Sequence, residues 1–325
     1  MTRSNLAAAA LAGAMLGAGA AQACTLQTVG ELDLDLSRRA PVVEGEINGV
    51  AAKIMIDTGS DGTSIMAPAA RALGLMKDRL PQGYVFAIGG DTQHYVTTIR
   101  SLKIGSLTAT ALPPMLVGGE LKGEPDIAML VGSDFLSQFD VELDFANHVM
   151  RLFHAEDCSP AQLVYWNKPY SQAALLPGNS IQTEVALNGR RALAWVDTGA
   201  SGSLVDADEA LAAGEPRPAQ ATLAASGLGP EPRLLWADDF ASFQIGDETI
   251  AQAHINVSPF AHDFEAIELD GHISHRTGDA PGMLVGDDFL RAHRVMVDYR
   301  DHVMVFSYNG GPIFATGTAP PRDAR

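Results

Sequence analysis

The stretch Ile54-Met55-Ile56-Asp57-Thr58-Gly59-Ser60 recurs 140 residues later as Ala194-Trp195-Val196-Asp197-Thr198-Gly199-Ala200. In both copies a short apolar run ends at Asp-Thr-Gly, which suits a buried strand that enters a tight turn. Asn48-Gly49 precedes the first copy, and Asn188-Gly189 precedes the second at the same offset. Asn-Gly between extended runs is a strong short-range signal for a β-hairpin. The sequence therefore predicts two equivalent hairpins, each leading into an Asp-Thr-Gly turn.

A second pair of matching segments lies further along the chain. Residues 129–136, Met-Leu-Val-Gly-Ser-Asp-Phe-Leu, recur at 283–290 as Met-Leu-Val-Gly-Asp-Asp-Phe-Leu. The offset is now 154, so the second copy carries extra residues, which we expect between Pro259 and Pro281. Self-similarity of this kind predicts two copies of one structural unit.

The repeat suggests a domain organisation for the whole chain of 325 residues. The copies are rich in strand signals, with short helices expected at Pro68–Leu75 and Ser133–Phe139. Leu163–Trp166 could add a bridging strand. We expect a signal peptide over 1–23, an N-terminal lobe over 24–158, a connector over 159–180, a C-terminal lobe over 181–308 and a flexible tail over 309–325.

The composition excludes some classes of partner. The formal net charge is −17, and 46% of the residues are hydrophobic, which is ample for a folded core. A strongly acidic protein is repelled by nucleic acids and by anionic membrane surfaces. We therefore expect no nucleic-acid partner.

The N-terminus has the features of a secretory signal. Arg3 precedes an apolar stretch from Leu6 to about Ala20, and Ala21-Gln22-Ala23 follows as a small-x-small cleavage site. The apolar stretch is shorter than the roughly 20 residues of a membrane span. We expect an exported, periplasmic or secreted protein with no membrane span, whose mature chain begins at Cys24.

The chain has only two cysteines, Cys24 and Cys158. An even number of cysteines in an exported protein favours a disulfide between them. The alternatives are a lipoprotein acylated at Cys24, although Ala21-Gln22 is a poor match to the usual lipoprotein signal, and two unpaired thiols.

Two copies of Asp-Thr-Gly can supply the chemistry that one copy cannot. A single carboxyl does not readily act as both acid and base, whereas two carboxyls in contact share one proton because both cannot ionise together. The ionised group can then take a proton from water while the protonated group donates one. Asp57 and Asp197 are the candidate pair.

These motifs resemble those of the retropepsin-like and pepsin-like aspartic peptidase superfamily, in particular the bacterial exported type with two fused retropepsin-like repeats. The resemblance rests on the two Asp-Thr-Gly segments and on Leu130-Val131-Gly132 and Leu284-Val285-Gly286. It implies a mostly β protein with two acid-protease β-barrel lobes related by a pseudo-twofold axis. The apolar-apolar-Gly strand would cross behind each active-site loop.

The resemblance also assigns roles to residues. Asp57 and Asp197 would be catalytic, Thr58 and Thr198 would brace the loops against each other, and glycine would allow close backbone approach. The flap that closes over substrate would include Ile88, Gly89 and Gly90 in the first copy and Ser226 and Gly227 in the second. The remaining residues of the active-site loops would be Gly59, Ser60, Gly199 and Ala200.

The two loops differ at their fourth position, which is Ser60 in one and Ala200 in the other. A hydrogen bond from the Ser60 hydroxyl to Asp57 would favour the ionised form of Asp57. This hypothesis makes Asp197 the group that holds the shared proton.

Other polar residues have plainer explanations. Residues 262–275 hold a cluster of His, Asp and Glu whose spacing matches no metal motif, so we expect a solvated acidic loop. His148 and His302 fall in expected hairpin turns, and Trp195 is expected in the core. Asp134 and Asp288 are expected to cap helices or pair locally.

The sequence thus predicts an aspartic endopeptidase that acts on polypeptides, with no metal and no cofactor. The alternative is a catalytically silent periplasmic peptide-binding module of the same fold. Because both aspartates lie in one chain, a monomer is the simpler arrangement.

Overall fold

The computed structural model describes residues 23–76, 78–85, 92–121, 123–215, 223–225, 233–264, 267–269, 272–274 and 280–314. The chain is mostly β, with β-barrel lobes, as the sequence predicts. Helices are short and few among these residues. The lobes supply the rigid strands on which the candidate site is built.

The first half contains two short helices and the strands β1 to β12. The helices are α1 (Ala67–Ala72) and α2 (Ser133–Leu136). The strands are β1 (Thr25–Asp33), β2 (Val42–Ile47), β3 (Val50–Ile56), β4 (Ser64–Met66), β5 (Asp78–Val85), β6 (Thr92–Thr97), β7 (Ser101–Ile104), β8 (Leu107–Thr110), β9 (Met115–Gly118), β10 (Ile127–Val131), β11 (Asp140–Asp144) and β12 (Val149–Glu156).

The rest of the chain contains three more helices and the strands β13 to β24. The helices are α3 (Pro160–Leu163), α4 (Ala207–Ala212) and α5 (Asp287–Leu290), with a 3-10 turn at Ala261–Phe264; another 3-10 turn, Phe145–Asn147, lies between β11 and β12 of the first half. The strands are β13 (Ser171–Ala174), β14 (Gln182–Leu187), β15 (Arg190–Val196), β16 (Leu204–Asp206), β17 (Leu223–Ala225), β18 (Arg233–Ile245), β19 (Glu248–Ser258), β20 (Ile267–Leu269), β21 (His272–Ser274), β22 (Met283–Val285), β23 (His293–Asp298) and β24 (Val303–Tyr308).

The two predicted hairpins are present. β2 pairs with β3 through Asn48-Gly49, and β14 pairs with β15 through Asn188-Gly189. The φ angles are 55° and 82° in the first turn and 51° and 82° in the second. Positive φ at both central residues is the condition for the turn that best matches strand twist, and Asn-Gly meets it at low cost.

Strand order is similar around the two Asp-Thr-Gly loops. In the first half neighbouring strands run β9-β4-β10-β3-β2-β7, and in the second half they run β19-β16-β22-β15-β14-β18. In the second half the long strands β18 and β19 pair with each other, which closes these six strands into a barrel. Both loops therefore emerge from the middle of a sheet with neighbours on each side.

A further sheet contains strands from both halves. Its order within the described residues is β1-β12-β11-β23-β24-β13, so β11 and β23 join the halves directly. The fully buried carboxylate of Glu142 on β11 accepts a hydrogen bond from Arg294 on β23 at 2.6 Å. The shared sheet fixes how one half lies against the other.

One prediction about the connector is wrong. Leu163 ends helix α3, and Val164–Trp166 adds no strand. The helix forms because Pro160 is its first residue and Gln162 Oε1 accepts hydrogen bonds from the Ser159 amide and hydroxyl, at 2.9 and 2.7 Å. This is a capping-box pairing that starts a helix. Leu163 and Val164 instead pack against the shared sheet in a small apolar cluster.

The predicted extra residues of the second half lie partly in the described region. The 3-10 turn at Ala261–Phe264 and the hairpin of β20 with β21 fall between Pro259 and Pro281. The helices expected near residues 68–75 and 133–139 are present as α1 and α2, both shorter than predicted. Of the predicted signal peptide and tail, residues 1–22 and 315–325 lie outside the described ranges.

Candidate active site

Asp57 and Asp197 occupy the same position at the ends of equivalent strands. β3 runs parallel to β10, and β15 runs parallel to β22. The Asp57 amide donates to Val131 O at 3.0 Å, and the Asp197 amide donates to Val285 O at 2.9 Å. Each apolar-apolar-Gly strand therefore holds one aspartate at its backbone, as the sequence motifs predict.

The two loops are joined by hydrogen bonds between their threonines. The Thr58 amide donates to Thr198 Oγ1 at 3.0 Å, and the Thr198 amide donates to Thr58 Oγ1 at 3.0 Å. Each hydroxyl in turn donates across the same interface, to Val196 O at 2.7 Å and to Ile56 O at 2.8 Å. These four bonds are buried, so their loss would leave polar groups without partners.

Glycine is required beside each aspartate because the opposite carboxyl lies against it. A Cβ atom on Gly59 would lie 2.5 Å from Asp197 Oδ1, and one on Gly199 would lie 2.6 Å from Asp57 Oδ1. Both distances are too short for any side chain. Each half therefore places its glycine backbone against the catalytic candidate of the other half.

The aspartates contact each other and are held by backbone donors. Their carboxyl groups are hydrogen-bonded to each other. Asp57 Oδ1 accepts from the amides of Gly59 and Ser60 at 3.0 and 3.1 Å. Asp197 Oδ1 accepts from the Gly199 amide at 2.7 Å. The main chain thus fixes one oxygen of each carboxyl.

Burial and mutual repulsion change the acidity of this pair. Burial raises the pKa of Asp57 well above its usual range, and the nearby charge of Asp197 and the hydrogen bond between the carboxyls raise it further. Burial also raises the pKa of Asp197, but the hydrogen bond from Asp57 opposes that rise. Two buried carboxyls in contact cannot readily ionise together, so the pair is expected to share one proton.

This finding corrects the hypothesis about Ser60. The Ser60 hydroxyl donates to Gly62 O at 3.0 Å, and Asp57 receives only the Ser60 amide. The amide bond would be made by any residue at this position, so serine does not distinguish Asp57 from Asp197. The predicted reason for placing the shared proton on Asp197 is therefore wrong. Ala200, at the matching position, packs against an apolar cluster that includes Trp195.

Asp134 in α2 and Asp288 in α5 bind the chain just after each Asp-Thr-Gly loop. Asp134 Oδ1 accepts from the amide and hydroxyl of Thr63, at 2.9 and 2.7 Å. Asp288 Oδ1 accepts from the amide and hydroxyl of Ser203, at 2.8 and 2.6 Å. They pair locally, whereas the helix N-caps are Gly132 and Gly286. The matching sequences of the two segments were the signal for this shared role.

The predicted flap residues lie outside the described part of the chain. These are Ile88, Gly89 and Gly90 in the first half and Ser226 and Gly227 in the second. Strands β5 and β6, which flank 86–91, pair antiparallel with Val85 opposite Thr92.

Cys24 and Cys158 are joined by a disulfide with a sequence separation of 134 residues. The bond links the start of β1 to the segment after β12, and these two strands also pair along their length. The disulfide therefore anchors the first strand of the shared sheet.

The other residues singled out in the sequence lie in turns or in the core. His148 and His302 sit in the turns that join β11 to β12 and β23 to β24, at φ angles of 58° and 51°. Trp195 is buried, as predicted. Among the described residues no group of three or more His, Cys, Asp or Glu side chains could hold a metal ion. Glu265, Asp270 and His275 of the acidic loop lie outside the described ranges.

Comparison with known proteins agrees with this geometry over the first half. Residues 43–138 match the family model described as gag-polyprotein putative aspartyl protease. The matched segment includes Asp57, the Asp-Thr-Gly loop and the strand that crosses behind it. The match supports a retropepsin-like aspartic protease relationship, and with it hydrolase activity on polypeptides. No curated protein gave a significant match to the chain.

No helix in the described ranges is both long enough and apolar enough to cross a membrane. This finding concerns the described helices alone.

Proposed function

We propose that this protein is an exported aspartic endopeptidase that hydrolyses peptide bonds at a site built from Asp57 and Asp197 of one chain. The observation that carries the proposal is the contact between these two carboxyls, buried at the ends of equivalent strands and joined by reciprocal threonine hydrogen bonds. We infer a pseudo-twofold relation between the halves, which is supported by their similar strand order.

The proposed reaction uses the unequal protonation of the pair. The ionised carboxyl takes a proton from a water molecule, whose oxygen attacks the peptide carbonyl carbon. The protonated carboxyl gives its proton to the carbonyl oxygen, and a tetrahedral diol forms. The first carboxyl then gives the proton from water to the peptide nitrogen while the second takes a proton back from a diol hydroxyl, so the C–N bond breaks and a carboxylic acid and an amine are released. Two carboxyls that share one proton are the known feature of the aspartic-protease dyad.

The geometry explains why the pair suits this chemistry. Backbone amides fix one oxygen of each carboxyl, so the remaining oxygens are positioned before substrate arrives. Preorganised groups avoid a cost of rearrangement in the transition state.

Export to an oxidising compartment is supported by the disulfide, because structural disulfides persist in such compartments and are rare in the cytosol. The same bond argues against acylation, since a Cys24 thiol cannot be in a thioether and a disulfide together. A monomer is supported by the supply of both aspartates from one chain.

The test is cleavage of a mixed peptide library by the mature chain. Three samples are compared: the wild type, the wild type with a peptide inhibitor whose hydroxyl group mimics the tetrahedral intermediate, and the Asp57→Asn variant. The proposal predicts cleavage in the first sample alone. Cleavage that survives both treatments would contradict it. Binding of the inhibitor without cleavage by the wild type would support the peptide-binding module instead.

A further inference from the structure

A buried carboxyl of the second half lies beneath the loop that carries Asp197 and has no counterpart in the first half. Asp287 directly follows Gly286, and its amide donates to Ala200 O at 2.9 Å. The residue is 8% exposed. Its position in the chain matches Ser133, 154 residues earlier.

Ser133 supports the first loop in two ways. Its amide donates to Ser60 O at 2.8 Å, and its hydroxyl donates to Thr58 O at 2.9 Å. Asp287 reproduces the amide bond, but an ionised carboxylate has no proton to donate to the second loop. The second loop therefore needs a different support at this point.

Asp287 instead connects to the first half of the chain through Arg291. Asp287 Oδ2 accepts from Arg291 Nε at 2.5 Å, and Arg291 Nη2 donates to Leu36 O at 2.9 Å. Leu36 lies between β1 and β2, 255 residues before Arg291. The residue that matches Arg291 in the first half is Ser137, whose side chain is too short for such a bridge.

Burying the Asp287 carboxyl lowers the stability of the fold, so stability alone does not explain it. Asp287 Oδ1 is buried and has no hydrogen-bond partner among the described residues. Leaving a buried polar atom unpaired destabilises a fold, and such atoms are uncommon in native proteins. An ordinary ion pair between residues four apart on a helix contributes little and would not need a buried carboxyl.

We propose that Asp287 and Arg291 form a brace that holds the Asp197 loop against the first half, which makes both of them positioning residues for the proposed reaction. The brace runs from Ala200 O through the backbone and carboxyl of Asp287 to Arg291 and Leu36 O. It acts beneath the loop, while the threonine bonds act between the loops. This inference rests on the proposed function.

The brace should affect turnover more than substrate affinity. Neither side chain has a hydrogen bond to Asp57 or Asp197 in the described contacts, so substrate binding should change little. A small displacement of a reacting group, of about 1 Å, can reduce a rate by about 100-fold. Partial release of one loop should reduce the rate by less than this. We expect a kcat lower by about 10-fold, with a KM within about twofold of the wild type.

The test is a double-mutant cycle with Asp287→Ala, Arg291→Ala and the double variant. Alanine is chosen because a serine here could donate to the second loop as Ser133 donates to Thr58 O, and would replace the brace. The brace predicts that each single change lowers kcat about tenfold and that the double change lowers it no further, because both remove one connection. Independent effects that multiply in the double variant would overturn the proposal.

Arg291→Lys separates the brace from an ordinary ion pair. Lysine keeps a positive charge beside Asp287 but lacks the planar fork that also reaches Leu36 O. The brace predicts a loss close to that of Arg291→Ala, whereas wild-type kcat in Arg291→Lys would overturn it. Arg191→Ala is the matched control, because Arg191 makes an exposed ion pair with Glu184 at 2.9 Å, apart from both loops.

Backbone hydrogen exchange makes the test independent of activity. Exchange at residues 197–200 should quicken in Asp287→Ala and in both Arg291 variants, while exchange at residues 57–60 stays as in the wild type. Unchanged exchange at both loops would overturn the brace. A wild-type chain that cleaves no peptide would contradict the proposed function, and exchange would still decide whether the brace exists.

Discussion

Thr58 and Thr198 exchange hydrogen bonds: each backbone amide donates to the other residue's hydroxyl oxygen at 3.0 Å. The two residues come from loops 140 residues apart and are almost fully buried. Each hydroxyl also donates to the strand that enters the opposite loop. The separation between Asp57 and Asp197 is therefore set by bonds between their neighbours.

Replacing Thr198 by valine should weaken this connection without changing the side-chain volume. The change removes the donor to Ile56 O and the acceptor for the Thr58 amide, which leaves both groups buried and unpaired. We expect a loss of about 2–4 kcal/mol in the free energy of unfolding, measured by urea denaturation. Thr198→Ser keeps the hydroxyl and is the control. Equal stabilities of the two variants would contradict the role of these bonds.

Replacing Gly59 by alanine should abolish activity in a folded protein. The new Cβ would lie 2.5 Å from Asp197 Oδ1, so the carboxyl or the loop must move. Gly62→Ala is a control in the same loop, because its Cβ would make an ordinary 3.5 Å contact with Leu116. We expect a loss of at least about 100-fold in kcat/KM for Gly59→Ala and little change for Gly62→Ala. Comparable activities would show that the opposite carboxyl does not depend on this glycine.

The stability of the protein should depend on pH through Asp57. Because its pKa is raised in the folded state, the folded protein keeps a proton that the unfolded chain loses near pH 4. The stabilisation is complete below that pH and is lost as pH rises through the folded-state pKa. Asparagine does not titrate, so Asp57→Asn should gain thermal stability relative to the wild type as pH increases.

Melting temperatures of the two proteins between about pH 4 and pH 7 check this sign. Ser60→Ala is the control, because its hydroxyl bonds Gly62 O and its amide bond to Asp57 is retained. It should follow the wild-type pH dependence. A difference between wild type and Asp57→Asn that stays constant with pH would mean that the folded state does not shift the Asp57 pKa.

Removing the disulfide should destabilise the chain without touching the site. Cys24 and Cys158 close a loop of 134 residues, and a cross-link of that span typically contributes about 2–5 kcal/mol. We expect the Cys24→Ser/Cys158→Ser variant to lose stability in this range, measured by equilibrium unfolding. Its kcat at low temperature should match the wild type. Equal stability with and without the bond would show that β1 is anchored by strand pairing alone.

Local sequence signals predicted the parts of the structure that short-range chemistry determines. Asn48-Gly49 and Asn188-Gly189 fix their turns because few other residues tolerate positive φ at both positions. The Asp-Thr-Gly segments could be matched because an identical backbone role requires identical residues. The pairing of Asp57 with Asp197 could be predicted because the two copies repeat the same motif, although the residues are far apart in the sequence.

Features that depend on contacts between distant segments were harder to predict. Leu163–Trp166 is apolar and aromatic, as a strand would be, yet the Ser159–Gln162 pairing starts a helix there. The destination of the Ser60 hydroxyl could not be deduced, since Gly62 O and Asp57 are both within reach of that position along the chain. Arg291 gave no signal, because its bond to Leu36 O exists only in the folded protein.

The central claim is that Asp57 and Asp197 of the same chain form one catalytic site, and a complementation assay tests it most directly. Peptide cleavage is measured for Asp57→Asn, for Asp197→Asn and for an equimolar mixture of the two variants, refolded together. The claim predicts that each variant is inactive and that the mixture remains inactive, because no chain holds both carboxyls. Activity in either single variant, or recovery of activity on mixing, would contradict it.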